Sequence, residues 1–144
     1  MIRKNNLIGR CLYIIQCESM GYYKIGISTD PIKRFKDISN LVPIDLELIF
    51  YAEHKRSSSM ESTLHFKFRE YSIRQEWFRL NHEHALEAVM NVMHRVVKDK
   101  INDDQKLFIS DKWYRNILAK QSDDWYTGPI HDFILRHMEV AYNG

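Results

Sequence analysis

The stretch Cys11-Leu-Tyr-Ile-Ile-Gln-Cys17, Glu18-Ser-Met-Gly21, Tyr22-Tyr-Lys-Ile-Gly-Ile-Ser28 decides how this chain folds. Two apolar runs rich in β-branched and aromatic residues flank a short break that ends in glycine. That pattern predicts a β-hairpin, with Gly21 available for positive φ at the turn. Side chains alternate across a strand. Tyr23, Ile25 and Ile27 therefore share one face of the second strand, and Tyr22, Lys24 and Gly26 share the other. Chains bury charged and hydroxyl-bearing side chains reluctantly, so Tyr13 and Lys24 within these runs ask for an explanation.

Outward from the hairpin, Thr29-Asp30-Pro31 predicts a helix start, with Asp30 as N-cap and Pro31 in the first helical position. This helix runs to about Asn40, carries Lys33, Arg34 and Lys36, and turns Ile32, Phe35 and Ile38 inward. Pro43 precedes a third strand, Leu46 to Glu53. The polar break Lys55-Arg-Ser-Ser-Ser59 offers a serine cap for a helix over 58–71, with Met60, Leu64, Phe68 and Tyr71 as its buried stripe. Glu61 and His65 lie one turn apart on a neighbouring face. Glu76 to Leu80 alternates like a short strand, and Trp77-Phe78 reads as a core anchor under that helix rather than a base-stacking platform. Asn81 caps a further helix with Ala85, Val89, Val92, Met93 and Val96 inward. Asn102-Asp-Asp104 is the best boundary signal, and the segments around Trp113, Tyr114, Ile117, Leu118 and 130–140 read as helical.

The expected fold class is α/β of the α+β kind: a small, central, three-stranded, mainly antiparallel sheet flanked by helices. Residues 8–82 form the core, and 83–144 form a C-terminal helical extension packing on it. The chain's 144 residues, 44% apolar and 12% aromatic, suit one domain with an appendage. The net charge of +2 does not by itself mark a nucleic-acid binder, so any basic footprint must come from local clustering. No segment approaches the roughly 18 apolar residues of a membrane span, and no secretory signal is evident. Cys11 and Cys17, on one strand, would lie roughly 20 Å apart, beyond disulfide reach. Reduced thiols imply a cytoplasmic home. Glu53-His54 and His82-Glu-His84 lack the spaced partners of a zinc site. His131-Asp132 lacks a nucleophile elbow.

Tyr13 precedes Lys24 by eleven residues, and Gly26 precedes Arg34 by eight. This spacing resembles the GIY-YIG nuclease superfamily, with Cys11-Leu-Tyr13 and Lys24-Ile-Gly26 in the places of its two tripeptides. Arg34 matches its helix arginine and Glu61 its metal-binding glutamate. The string Tyr-Lys-Ile-Gly, Asp-Pro-x-x-Arg, Pro-x-x-Leu, Glu-x-x-Leu-His-x-x-Phe and Glu-Trp-Phe is similar to a phage-type DNA-binding branch. The resemblance covers residues 10–80 and implies a DNA endonuclease that uses Mg²⁺ or Mn²⁺.

In that reading Glu61 holds the ion, whose hardness suits carboxylate oxygens. Arg34 forks onto phosphate oxygens. Tyr13 orients or deprotonates the attacking water, helped by Lys24 as a neighbouring cation, or Lys24 itself acts as base or phosphate contact. His65 touches the metal or the leaving oxygen. Lys33, Lys36, Lys55 and Arg56 line a DNA-contacting groove. Cys11, Lys24 and Ile38 depart from the superfamily's pattern. They open the alternatives of an inactive nucleic-acid-binding module or a phage-related interaction or inhibitor protein. The C-terminal helices are the expected surface for a homodimer or a protein partner.

Overall fold

The computed structural model describes residues 10–99, 106–120 and 131–136. Its sheet begins with the anticipated hairpin, β1 (Cys11–Cys17) and β2 (Tyr22–Ser28). Gly21 takes φ 70° at the end of the single 3-10 turn between them. Asp30 then caps α1 (Pro31–Leu41) by accepting from the Lys33 N–H at 3.1 Å. β3 (Glu47–Glu53), α2 (Ser57–Lys67), β4 (Ser72–Arg74), β5 (Trp77–Arg79), α3 (His82–Lys98), β6 (Leu107–Ile109) and α4 (Asp111–Ala119) follow, and residues 131–136 are helical.

The fold is α+β, but the sheet is larger than expected. It has six strands in the order β4-β5-β2-β1-β3-β6, with every neighbouring pair antiparallel. The added strands have a physical origin. Ser72–Arg74 and Leu107–Ile109 are too short to show a period of their own, and they form by pairing onto β5 and the outer edge of β3. The second of these interrupts a region expected to be helical. The helix expected over 58–71 ends at Lys67, and a 3-10 turn at Arg69–Tyr71 leads into β4. No serine caps α2. Its N-cap is Arg56, which makes no side-chain cap bond, and Ser57 lies inside the helix and buried. Asn81 does cap α3, accepting from the His84 N–H at 2.8 Å. Asn102-Asp-Asp104, Trp125 and residues 137–140 lie outside the described residues.

Alternation sorts the sheet's two faces. Leu12, Ile14, Tyr23, Ile25, Phe50 and Ala52 join one buried cluster with Leu64 of α2, Val89 and Val92 of α3, and Tyr114 and Ile117 of α4. Tyr13, Lys24 and Gly26 point to the opposite face, on the side of α1. β5 pairs only with Tyr22–Lys24, so β2 has an open edge beyond them. α2 lies beside that edge, where His65 Nε2 meets the Ile25 carbonyl at 2.8 Å.

Candidate active site

The Tyr13 face of β1 and β2 gathers the polar side chains singled out in the sequence. Tyr13 sits opposite Gly26 in the register, and its side chain is buried. A methyl at position 26 would stand 2.6 Å from Tyr13 Oη and 2.9 Å from Glu76 Oε1. The glycine therefore lets the tyrosine hydroxyl and the carboxylate approach the backbone of β2. Arg34, one turn into α1, hydrogen-bonds to the Tyr13 hydroxyl. Burial pushes the Tyr13 pKa up, and Arg34 opposes that rise. At neutral pH Tyr13 is thus a neutral hydroxyl. It can orient a water but is no ready base. The expected pairing of Lys24 with Tyr13 is corrected: Arg34 is the cation at the hydroxyl.

Lys24 is only 7% exposed. Its ammonium donates to Glu76 Oε1 at 2.8 Å and lies 5.7 Å from the centre of the Trp77 ring. Glu76 was not among the sequence candidates. The turn between β4 and β5 positions it, with Gln75 at φ 52°. The Glu76 carbonyl also accepts the Ile25 N–H at 3.1 Å. The signal was present in the Glu76-Trp-Phe string, but its placement depends on a left-handed glutamine that sequence does not flag.

Glu61 projects from α2 toward Glu76. Burial raises its pKa first, and the Glu76 carboxylate raises it further, while His65 and Lys24 pull it down. Glu61 Oε2 is buried and meets no donor. Its neighbour is another carboxylate, within hydrogen-bonding reach only when one of the pair carries a proton. The His65 Nε2 bonded to the Ile25 carbonyl must carry a proton, so Nδ1 is the ring nitrogen left for other work.

Tyr13, Lys24, Arg34, Glu61 and His65 therefore converge, with Glu76 added. The basic groove candidates sit on two segments, α1 and the turn before α2. Lys33 pairs with Asp37 at 3.1 Å on the exposed side of α1. Lys36 is exposed on the same helix. Lys55 lies near Asp99 at the far end of α3 and helps to hold that carboxyl low. Arg56 is exposed and donates its backbone N–H to His54 Nδ1 at 2.9 Å. Cys11, in the place of the tripeptide glycine, is fully buried, and burial pushes its thiol up to about 12, far from a reactive thiolate.

The family model of the T5orf172 domain matches residues 10–94, more than half of the chain and the whole of this cluster. The chain belongs to the T5orf172 domain family. No curated protein and no solved structure matches it. The resemblance to the GIY-YIG superfamily is thereby corrected: the T5orf172 domain is a different, phage-associated family. The residues agree with the correction, since Cys11 and Lys24 replace the glycine and tyrosine of the two tripeptides. In this T5orf172 domain no helix among the described residues is long and apolar enough to cross a membrane.

On chemical grounds the carboxylates of this cluster fit a hard divalent ion. Among the described residues no three His, Cys, Asp or Glu side chains group as ligands. A hard ion such as Mg²⁺ does not need such a cage: it takes one or two carboxylates and keeps several waters. Glu61 with its orphaned oxygen, beside Glu76, meets that requirement.

Proposed function

We propose that this phage-associated domain acts on DNA as a cation-dependent endonuclease, hydrolysing phosphodiester bonds at the Tyr13–Arg34–Glu61–Glu76 cluster. One observation carries the reading. A buried carboxylate oxygen without a donor, Glu61 Oε2, sits among an arginine, a tyrosine and a second carboxylate. Stability alone disfavours leaving such an oxygen unmatched, whereas phosphodiester hydrolysis has a use for it.

Arg34 is exposed apart from its contact with Tyr13, so its planar fork can donate bidentately to phosphate oxygens. The Tyr13 hydroxyl, fixed by Arg34 and pressed against Gly26, orients a water toward that phosphate. Glu61 and Glu76 would hold Mg²⁺ or Mn²⁺, which supplies charge stabilisation to the phosphoryl oxygens when bound. Lys24 holds Glu76 in place, and His65 lies close enough to Glu61 to act on its charge. A second reading, binding without cleavage, draws on the same Lys24–Glu76 ion pair, which already neutralises one carboxylate.

The test is cleavage of supercoiled and linear DNA with Mg²⁺ or Mn²⁺. Glu61→Gln is expected to lower the rate by roughly 10²-fold or more, the scale of losing one preorganised electrostatic group. Cation-dependent cleavage that survives Glu61→Gln would remove Glu61 from the chemistry. DNA binding with no cleavage under either ion would favour the second reading.

A further inference from the structure

The Tyr13 face of the sheet does not end at the cluster. Along β2 the same face continues from Gly26 to Lys24 to Tyr22, in steps of about 6.6 Å. Across the strands Lys24 pairs with Trp77 and Tyr22 with Arg79, and Trp77 pairs in turn with Arg74 of β4. These partners share the outward face. Only Phe78, on the other face, is the core anchor; Trp77 and Tyr22 are half-exposed. The sequence expectation for Trp77-Phe78 is therefore split, one ring to each face.

The Arg79 guanidinium lies 5.5 Å from the centre of the Tyr22 ring and donates to the Tyr22 hydroxyl at 3.3 Å. The guanidinium thus lies near the ring and is hydrogen-bonded to its hydroxyl before anything binds. Arg74 and Arg79 are exposed, and among the described residues neither is paired with a carboxylate. Uncompensated positive charge beside half-exposed rings is the composition of a surface for unpaired nucleic acid. Phosphates meet the guanidiniums, and bases stack on rings or on guanidinium planes. A duplex keeps its bases stacked on one another and can use only the charges.

We propose that the outer face of β2, β5 and β4 is a track for a single-stranded DNA segment leading to the cluster. The Tyr22–Arg79 pair takes a base, while Arg74 and Arg79 take phosphates. This deepens the endonuclease reading and rests on it for the polarity of the track toward Tyr13 and Arg34. The substrate it favours carries an unpaired stretch next to the cut phosphate.

The experiment is fluorescence anisotropy of labelled single-stranded and duplex oligonucleotides with the full chain in EDTA, where cleavage plays no part. Tyr22→Ala is expected to weaken single-strand binding about tenfold, the scale of one lost base stack, and to leave duplex binding unchanged. Tyr22→Phe keeps the ring but loses the hydroxyl that accepts from Arg79; it should bind more tightly than Tyr22→Ala, which guards against a folding artefact. Arg79→Ala should weaken single-strand binding and lower the salt slope by about one. Equal losses on both oligonucleotides for Tyr22→Ala, or no loss at all for that variant, would overturn the track. If native binding survives in Tyr22→Ala while Glu61→Gln abolishes cleavage, the track fails and the endonuclease reading stands. If single-strand binding follows Tyr22 while cleavage ignores Glu61, the reverse holds.

Discussion

Two histidines bracket α2, and their surroundings differ in one respect. His54, just before the helix, is 2% exposed. Its Nδ1 accepts the Arg56 N–H at 2.9 Å, so Nε2 carries the proton and donates to Asp99 Oδ2 at 2.5 Å. Every polar atom of that ring is matched, and the ring ties the end of β3 to the start of α2 and the end of α3. His65, within the helix, belongs to a cluster that is not closed. One oxygen of Glu61 has no donor, two carboxylates lie side by side, and a lysine is buried against one of them. Folded chains match buried polar groups where packing alone decides. The His54 group is accordingly a brace, and the His65 group is the one we propose as the site.

The sharpest way to break that contrast is to crowd the site. Gly26→Ala places a methyl 2.6 Å from a buried tyrosine hydroxyl and 2.9 Å from Glu76. Glu76 can swing, but the Tyr13 ring is packed in and must move with the strand. A cost of about 1–3 kcal/mol is expected in urea unfolding, as for overpacking elsewhere. Loss of DNA cleavage should be much larger than that stability change implies, because a shift of about 1 Å in positioned groups costs on the order of 10²-fold. An active, native-like Gly26→Ala chain would show that the close approach of Tyr13 and Glu76 serves nothing.

The brace should answer in the opposite manner. His54→Ala leaves the Arg56 N–H without its acceptor and empties a buried position. Destabilisation of roughly 2–3 kcal/mol is expected, from the lost hydrogen bonds and the residual cavity. Cleavage by the chain that remains folded should be that of the native protein. If cleavage fell as far as in Gly26→Ala, the two polar groups would be one functional unit and the contrast would dissolve.

What the sequence disclosed of this contrast follows from the range of the interactions. The hairpin, the Asp30 and Asn81 caps and the positive φ of Gly21 are local, and local chemistry writes them into neighbouring residues. The convergence of Tyr13, Arg34 and Glu61 was legible through spacing along two strands and two helices. β4 and β6 were not, because three-residue strands exist only through their partners. Glu76 escaped as a site residue for a related reason. Its carboxylate is delivered by Gln75 at φ 52°, a conformation that glycine would have announced and glutamine does not. The match between His54 and Asp99 spans 45 residues and carries no motif.

The smallest effect separates the two groups by sign. Burial, reinforced by Glu76, lifts the Glu61 carboxyl above its ordinary 4.5, so the folded state holds that proton more tightly than the unfolded one. Stability linked to Glu61 is therefore fully present below pH 4.5 and declines as pH rises through the folded value. The slope stays below the single-proton limit of about 1.4 kcal/mol per pH unit, and solvent at this half-buried site reduces it further. Asp99 is the reverse: the hydrogen bond from His54 holds its carboxyl below the ordinary 3.8. Its contribution is present above pH 3.8 and is lost as pH falls through the folded value. Urea midpoints across acid pH read both. Glu61→Gln should flatten the decline above pH 4.5 and leave the acid limb alone. Asp99→Asn should soften the acid limb and leave the decline in place. An unchanged decline in Glu61→Gln would mean that Glu61 and Glu76 do not crowd each other in solution, and the unmatched oxygen would lose its standing as the mark of a site.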